Sequence, residues 1–137
     1  MRFYKDISLI LMLLFATTGA LFLGLPEKVL LFFNSLSSPL GLLQSPAGGG
    51  SFYLILAVAY MYLVSGLAFL MFKHPDNHYF PLLLIHAKLA SSVLSLALFL
   101  LQAHYLIFLA NFIIDGAIGL VVLALYFKMR KTEWAYS

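Results

Sequence analysis

Four uncharged or nearly uncharged runs, Ile7 to Leu25, Phe52 to Phe72, Tyr79 to Leu101 and Tyr105 to Phe127, constrain this chain more than any other feature. Crossing a hydrocarbon core takes about 20 residues of helix at a rise of about 1.5 Å each, and every run is of that order. Lipid offers no water to backbone amides, so spans of this length predict helices. The period-two alternation of a membrane barrel is absent. The expected fold class is therefore all-α: one four-helix transmembrane domain covering residues 1 to 137, multi-pass in the bilayer. Composition agrees, since 64% of the residues are hydrophobic and 9% charged, against about 25% charged in ordinary soluble domains.

The basic start "MRFYK" and the small residues of "TTGA" have the outline of a cleaved signal peptide. However, "LFLGL" rather than a polar segment follows, and the first run reads as a retained helix. If all four helices cross, Arg2, Lys5, Lys73, Lys128, Arg130 and Lys131 share one side, and the other side has only Lys28. The positive-inside rule then puts both termini and the "FKHPDNHY" loop in the cytoplasm of a bacterial-type inner or plasma membrane. Tyr4, Tyr53, Tyr79, Tyr105, Tyr126 and Trp134 fall near the interfaces, where amphipathic rings are favoured.

Between the first two spans, "LPEKVLLFFNSL" predicts a short interfacial helix with Pro26 at its first position and Glu27 in its first turn. The remaining "SSPLGLLQSPAGGGS" is punctuated by proline and glycine and is expected to be a mobile loop. By contrast, "QAH" joins the third and fourth spans so tightly that they must form an antiparallel hairpin. Ala16, Ala20 and Gly24, four apart on the first span, predict a helix contact within the chain or between chains, and Gly119 predicts another.

The chemistry is concentrated on the hairpin. Lys88, Ser91, Ser92 and Ser95 share one face of the third span, and Asn111, Asp115 and Gly119 lie four apart on the fourth. If Leu101 and Tyr105 are level, Ser91 falls beside Asp115 and Ser95 beside Asn111, and the lysine stem can bridge the remaining offset to the acid. The pair is expected to fix helix register, to form a proton, ion or headgroup site, or to leave Lys88 snorkelling toward the headgroups.

His86 lies about 200° around the helix from Lys88 and points away from that stripe. No second histidine lies at its depth, because His104 is at the opposite surface and His74 and His78 are in a loop. This disfavours bis-histidine haem. A metal site at His74, Asp76 and His78 is a weaker account than a solvated turn, and no metal is assigned. Without cysteine, thiol chemistry and Cys-held clusters are excluded. No catalytic triad, phosphate loop or zincin motif occurs, so no catalytic residue is assigned. The net charge of +3 lies beside apolar spans, suiting anionic lipid rather than nucleic acid.

These features lead first to an accessory or assembly subunit that packs in the lipid bilayer with other membrane chains or as a homo-oligomer. The second expectation is binding or translocation of a quinone, lipid, ion or proton around Lys88, Asp115, Asn111, Ser91, Ser92, Ser95 and His86. Proton management beside a bound quinone is a third.

Overall fold

A computed structural model describes residues 2–46 and 51–134, with side chains described for 53–130 in the second segment. It is an all-helical bundle. Five α-helices follow in order: α1 (Arg2–Gly24), α2 (Pro26–Ser37), α3 (Ser51–Lys73), α4 (Tyr79–Leu101) and α5 (Leu106–Trp134). All but α2 are long and apolar enough to cross a membrane. The chain is thus a multi-pass membrane protein with the expected short helix between its first and second spans. The ends of α4 match the sequence expectation, while α1 starts earlier and α5 continues past Phe127 into its basic tail. Helical hydrogen bonding continues past the apolar stretch because nothing in those flanks breaks it.

Two helix pairs carry most of the packing, α4 with α5 and α1 with α3, and the contact of α3 with α4 joins them. The end of the bundle that holds the start of α1 and the last turns of α5 is identified by side-chain contacts. Lys128 Nζ lies 5.4 Å from the ring centroid of Phe3, and the rings of His78 and Tyr126 meet edge to face at 6.1 Å. The start of α1, the last turns of α5 and the loop between α3 and α4 therefore share this end. At the far end α2 rests on α5 and α1.

The segment after α2 is tied down where a mobile loop was expected. A 3-10 turn at Ser38–Leu40 ends at Gly41, whose φ of 65° is the left-handed conformation that glycine adopts without a Cβ clash. Asn34 then fastens the returning chain: its Nδ2 donates to Ser45 O at 2.9 Å and its Oδ1 accepts from Ser45 N at 2.8 Å. Leu43 forms an isolated bridge with Tyr105 in the α4–α5 turn. The loop expectation for residues 47–50 lies outside the described residues.

On α1 the buried face is Tyr4, Ser8, Leu11, Phe15 and Gly19, a three-and-four spacing that winds along one side. Gly19 sets the approach of α3, because a Cβ there would stand 3.0 Å from Met61 Cβ. Ser65 Oγ on α3 also donates to Met12 O on α1 at 3.1 Å. Ala16, Ala20 and Gly24 are exposed on the other side, and a Cβ on Gly24 would meet nothing within 4 Å. The contact of α1 within the chain thus runs through Gly19, one residue before Ala20 and about 100° around the helix.

Candidate functional site

Gly119 and Gly116 decide how α4 and α5 meet. A Cβ on Gly119 would lie 2.9 Å from Leu89 Cδ2 and 3.6 Å from Lys88 Cβ, and one on Gly116 would lie 2.9 Å from Ser92 Oγ. The two backbones are that close because neither glycine has a side chain to hold them apart. Polar side chains then bridge the seam. Ser92 Oγ donates to Phe112 O at 2.8 Å. Asn111 Nδ2 donates to Ser91 Oγ at 3.0 Å and to Ser95 Oγ at 2.6 Å. Asn111 therefore sits between two serines a turn apart, rather than level with Ser95 alone.

At the end of this ladder Lys88 Nζ donates to Asp115 Oδ1 at 2.8 Å. Both residues are buried, Lys88 to 1% exposure and Asp115 to 3%. The lysine does not snorkel. Its ammonium also lies 4.4 Å from the ring centroid of Phe15 on α1 and 5.0 Å from that of Tyr60 on α3. Such cation–π contacts strengthen when water is excluded. Tyr60 is itself oriented, since its hydroxyl donates to Ala87 O on α4 at 3.0 Å. One ammonium thus contacts side chains from all three of the other membrane-spanning helices.

The carboxylate is only half engaged. Asp115 Oδ2 is buried and has no hydrogen-bond partner, and among the described residues it shares that condition with only the hydroxyl of Tyr4. A buried polar atom without a partner is destabilising by about 1 to 3 kcal/mol, more where it is charged. Strain, a chemical role, or a bridging water or ion are the usual accounts of such an atom in a native fold.

Asp115 also borders a cavity of about 270 Å³. Leu14, Thr18 and Phe22 of α1 form one wall, Ala110 and Ile114 of α5 the opposite wall, and Phe33 of α2 closes the far end. The cavity is partly open, and its surface is overwhelmingly apolar. The pair divides the bundle by depth. Toward the termini lies the packed core of Leu11, Val64, Ala68, Met71, Leu84 and Val122, whereas toward α2 the space between α1 and α5 is left unfilled. Few polar groups enter it. Thr18 Oγ1 donates to Leu14 O at 2.8 Å within its own helix, and Asn111 reaches the cavity from the serine ladder.

The structure therefore brings together Lys88, Asp115, Asn111, Ser91, Ser92 and Ser95, with Gly119 beneath them. It leaves His86 out: the ring is exposed, and Nδ1 donates to Leu82 O at 2.8 Å, a hydrogen bond within its own helix. His74 and His78 turn to Phe80 and Tyr126. Among the described residues, no three His, Asp or Glu side chains are grouped to hold a metal ion. Sequence reasoning missed Phe15 and Tyr60. Phe15 does fall in register with Leu11 and Gly19 on α1, but an aromatic ring in an apolar span does not by itself announce a cation partner.

No protein-family model, curated protein or solved structure matches this chain. Its function is argued from the site itself.

Proposed function

We propose that this protein binds a small molecule within the membrane, in the cavity between α1 and α5 that ends on Asp115. The observation that carries this reading is an apolar, partly open cavity bordered by a buried ion pair, Lys88 with Asp115. Ligand sites are mostly apolar concavities with a few placed polar groups, and an intramembrane ionisable residue is expensive enough to mark function by default. A quinone or a lipid has the required apolar body.

The reading is tested by purification in mild detergent followed by native mass spectrometry. The wild-type protein is expected to carry a small-molecule adduct that Ala110→Phe, which fills the cavity, lacks. Identical adduct patterns in the two proteins would sink the proposal.

A second reading, assembly with other membrane chains or with further copies, is favoured by the outward stripe of Ala16, Ala20 and Gly24. Small residues facing lipid permit close approach of another helix. The two roles are compatible, because the stripe and the cavity involve different residues of α1. The basic asymmetry supports a cytoplasmic location for both termini.

A further inference from the structure

Tyr62 stands where a membrane protein least favours a tyrosine. It lies eleven residues from either end of α3 (Ser51–Lys73), about 16 Å of helix on each side, near the middle of a hydrocarbon core about 30 Å thick. It is 83% exposed, and its hydroxyl has no hydrogen-bond partner among the described residues. Tyr53 and Tyr79 are exposed too, but they lie near the ends of α3 and α4, at the depth where amphipathic rings are favoured. Tyr62 reaches neither interface, because a phenol is much shorter than half a span. A hydroxyl left in hydrocarbon without a partner is costly. A partner from outside the chain removes that cost.

The surface beside it suits another helix. Gly66, one turn along α3 toward Lys73, is exposed, and a Cβ there would meet nothing within 4 Å. It lies in an apolar groove lined also by Tyr62, Leu63, Phe69, Leu70 and Met12 of α1. Ser65 borders the groove as well, but its hydroxyl donates to Met12 O. The phenol is therefore the uncommitted polar side chain of this groove. None of these residues lines the cavity between α1 and α5 or belongs to the stripe of Ala16, Ala20 and Gly24.

Lipid does not supply the missing partner: acyl tails carry no acceptor, and ester carbonyls lie at headgroup level, half a bilayer away. A second copy of this chain does. Copies inserted under the same basic asymmetry share one orientation, so a two-fold axis relating them runs along the membrane normal and brings each residue to the depth of its own counterpart. A phenolic hydroxyl both donates and accepts, so two of them beside the axis satisfy each other. At the next turn glycine meets glycine, which lets the backbones approach closely. We infer that the protein self-associates through the outer face of α3, as a two-fold dimer in which the two Tyr62 hydroxyls hydrogen-bond to each other and Gly66 sets the closest approach. A different chain would have to bring a hydrogen-bonding group and a small residue to these same depths, whereas a second copy holds both in register. The interface goes beyond the small-molecule reading and does not depend on it.

The test uses the full chain carrying Gln102→Cys, labelled with donor or acceptor dye and reconstituted in phosphatidylcholine liposomes. Energy transfer measured against the protein-to-lipid ratio gives a dissociation constant. Otherwise unaltered copies are expected to associate saturably in pairs. Tyr62→Phe removes only the hydroxyl and should raise the constant about three- to tenfold, the range of interhelical hydrogen bonds in membranes. Gly66→Leu fills the notch and should raise it by about tenfold or more. Val93→Trp, on the exposed side of α4, should leave it unchanged, and so should Ala110→Phe in the cavity, which separates this interface from the binding reading. Transfer no greater than that of randomly distributed chains at every density would overturn self-association. Pairing that survives both Tyr62→Phe and Gly66→Leu would place the contact on another face. A constant raised by Gly66→Leu and untouched by Tyr62→Phe would overturn the hydroxyl pair that selects a second copy. If Gly66→Leu does not fold, Tyr62→Phe against Val93→Trp decides alone.

Discussion

Lys88 and Asp115 form an ion pair although their backbones are a turn out of register. Lys88 Cβ lies beside Gly119, 3.6 Å from where a Cβ on that glycine would stand, yet Nζ reaches Oδ1 of Asp115 at 2.8 Å. The stem runs about one helical turn toward the far end to make the contact. Its direction is opposite to snorkelling, because the carboxylate and two aromatic faces lie inward.

The pair is expected to behave as a coupled unit. Lys88→Met or Asp115→Leu alone should each destabilise the bundle by roughly 3 to 5 kcal/mol, since each strands the other charge. The double substitution should be milder than either single one. A double-mutant cycle on thermal or denaturant unfolding in detergent measures this. Strictly additive losses would show two energetically independent residues. Ligand retention in the double variant separates roles: a pair that only fixes register regains it, and a binding group does not.

Tyr60 offers two separable contributions, its ring over Lys88 and its hydroxyl on Ala87 O. Tyr60→Phe should cost about 0.5 to 1.5 kcal/mol through the hydrogen bond alone. Tyr60→Leu should cost more, since it also removes the ring from the ammonium. Equal melting temperatures for the two variants would show that the ring contributes nothing to holding the charge.

The glycines should sort by what their missing Cβ would touch. Gly19→Ala and Gly119→Ala push Met61 and Leu89 aside, and overpacking of this kind costs about 1 to 3 kcal/mol. Gly24→Ala meets nothing within the chain and should leave the melting temperature of the monomer unchanged. Ala20→Leu or Gly24→Leu should instead lower the oligomer mass if the outward stripe is an assembly face. An unchanged mass in both would place that face against lipid.

Orientation is checked with single cysteines in a chain that has none of its own. An impermeant thiol reagent applied to intact cells should label a cysteine at Gln102 and spare one at Asp76. The reverse pattern would invert the topology drawn from the basic residues.

The helices, their number and the α4–α5 hairpin were legible in the sequence because each depends on local properties. Apolar length sets a span, Pro26 starts α2, and the "QAH" turn makes the two helices of the hairpin antiparallel neighbours. That turn also set the register, and with it the meeting of Lys88 and Asp115 and of Asn111 with its serines. The connection is so short that counting residues from the bend measures depth on both helices.

What the sequence withheld depends on which side of each apolar helix faces inward. In water the buried face announces itself by contrast with a polar one, but against lipid both faces are apolar and the contrast vanishes. Ala16, Ala20 and Gly24 therefore look as suitable for packing as Leu11, Phe15 and Gly19, and only the tertiary structure turns the second set inward. The same choice of face puts Phe15 over an ammonium from a helix more than seventy residues away in sequence. It leaves the space between α1 and α5 unfilled beside the Lys88–Asp115 pair. These are properties of four helices meeting at one depth, and no single segment encodes them.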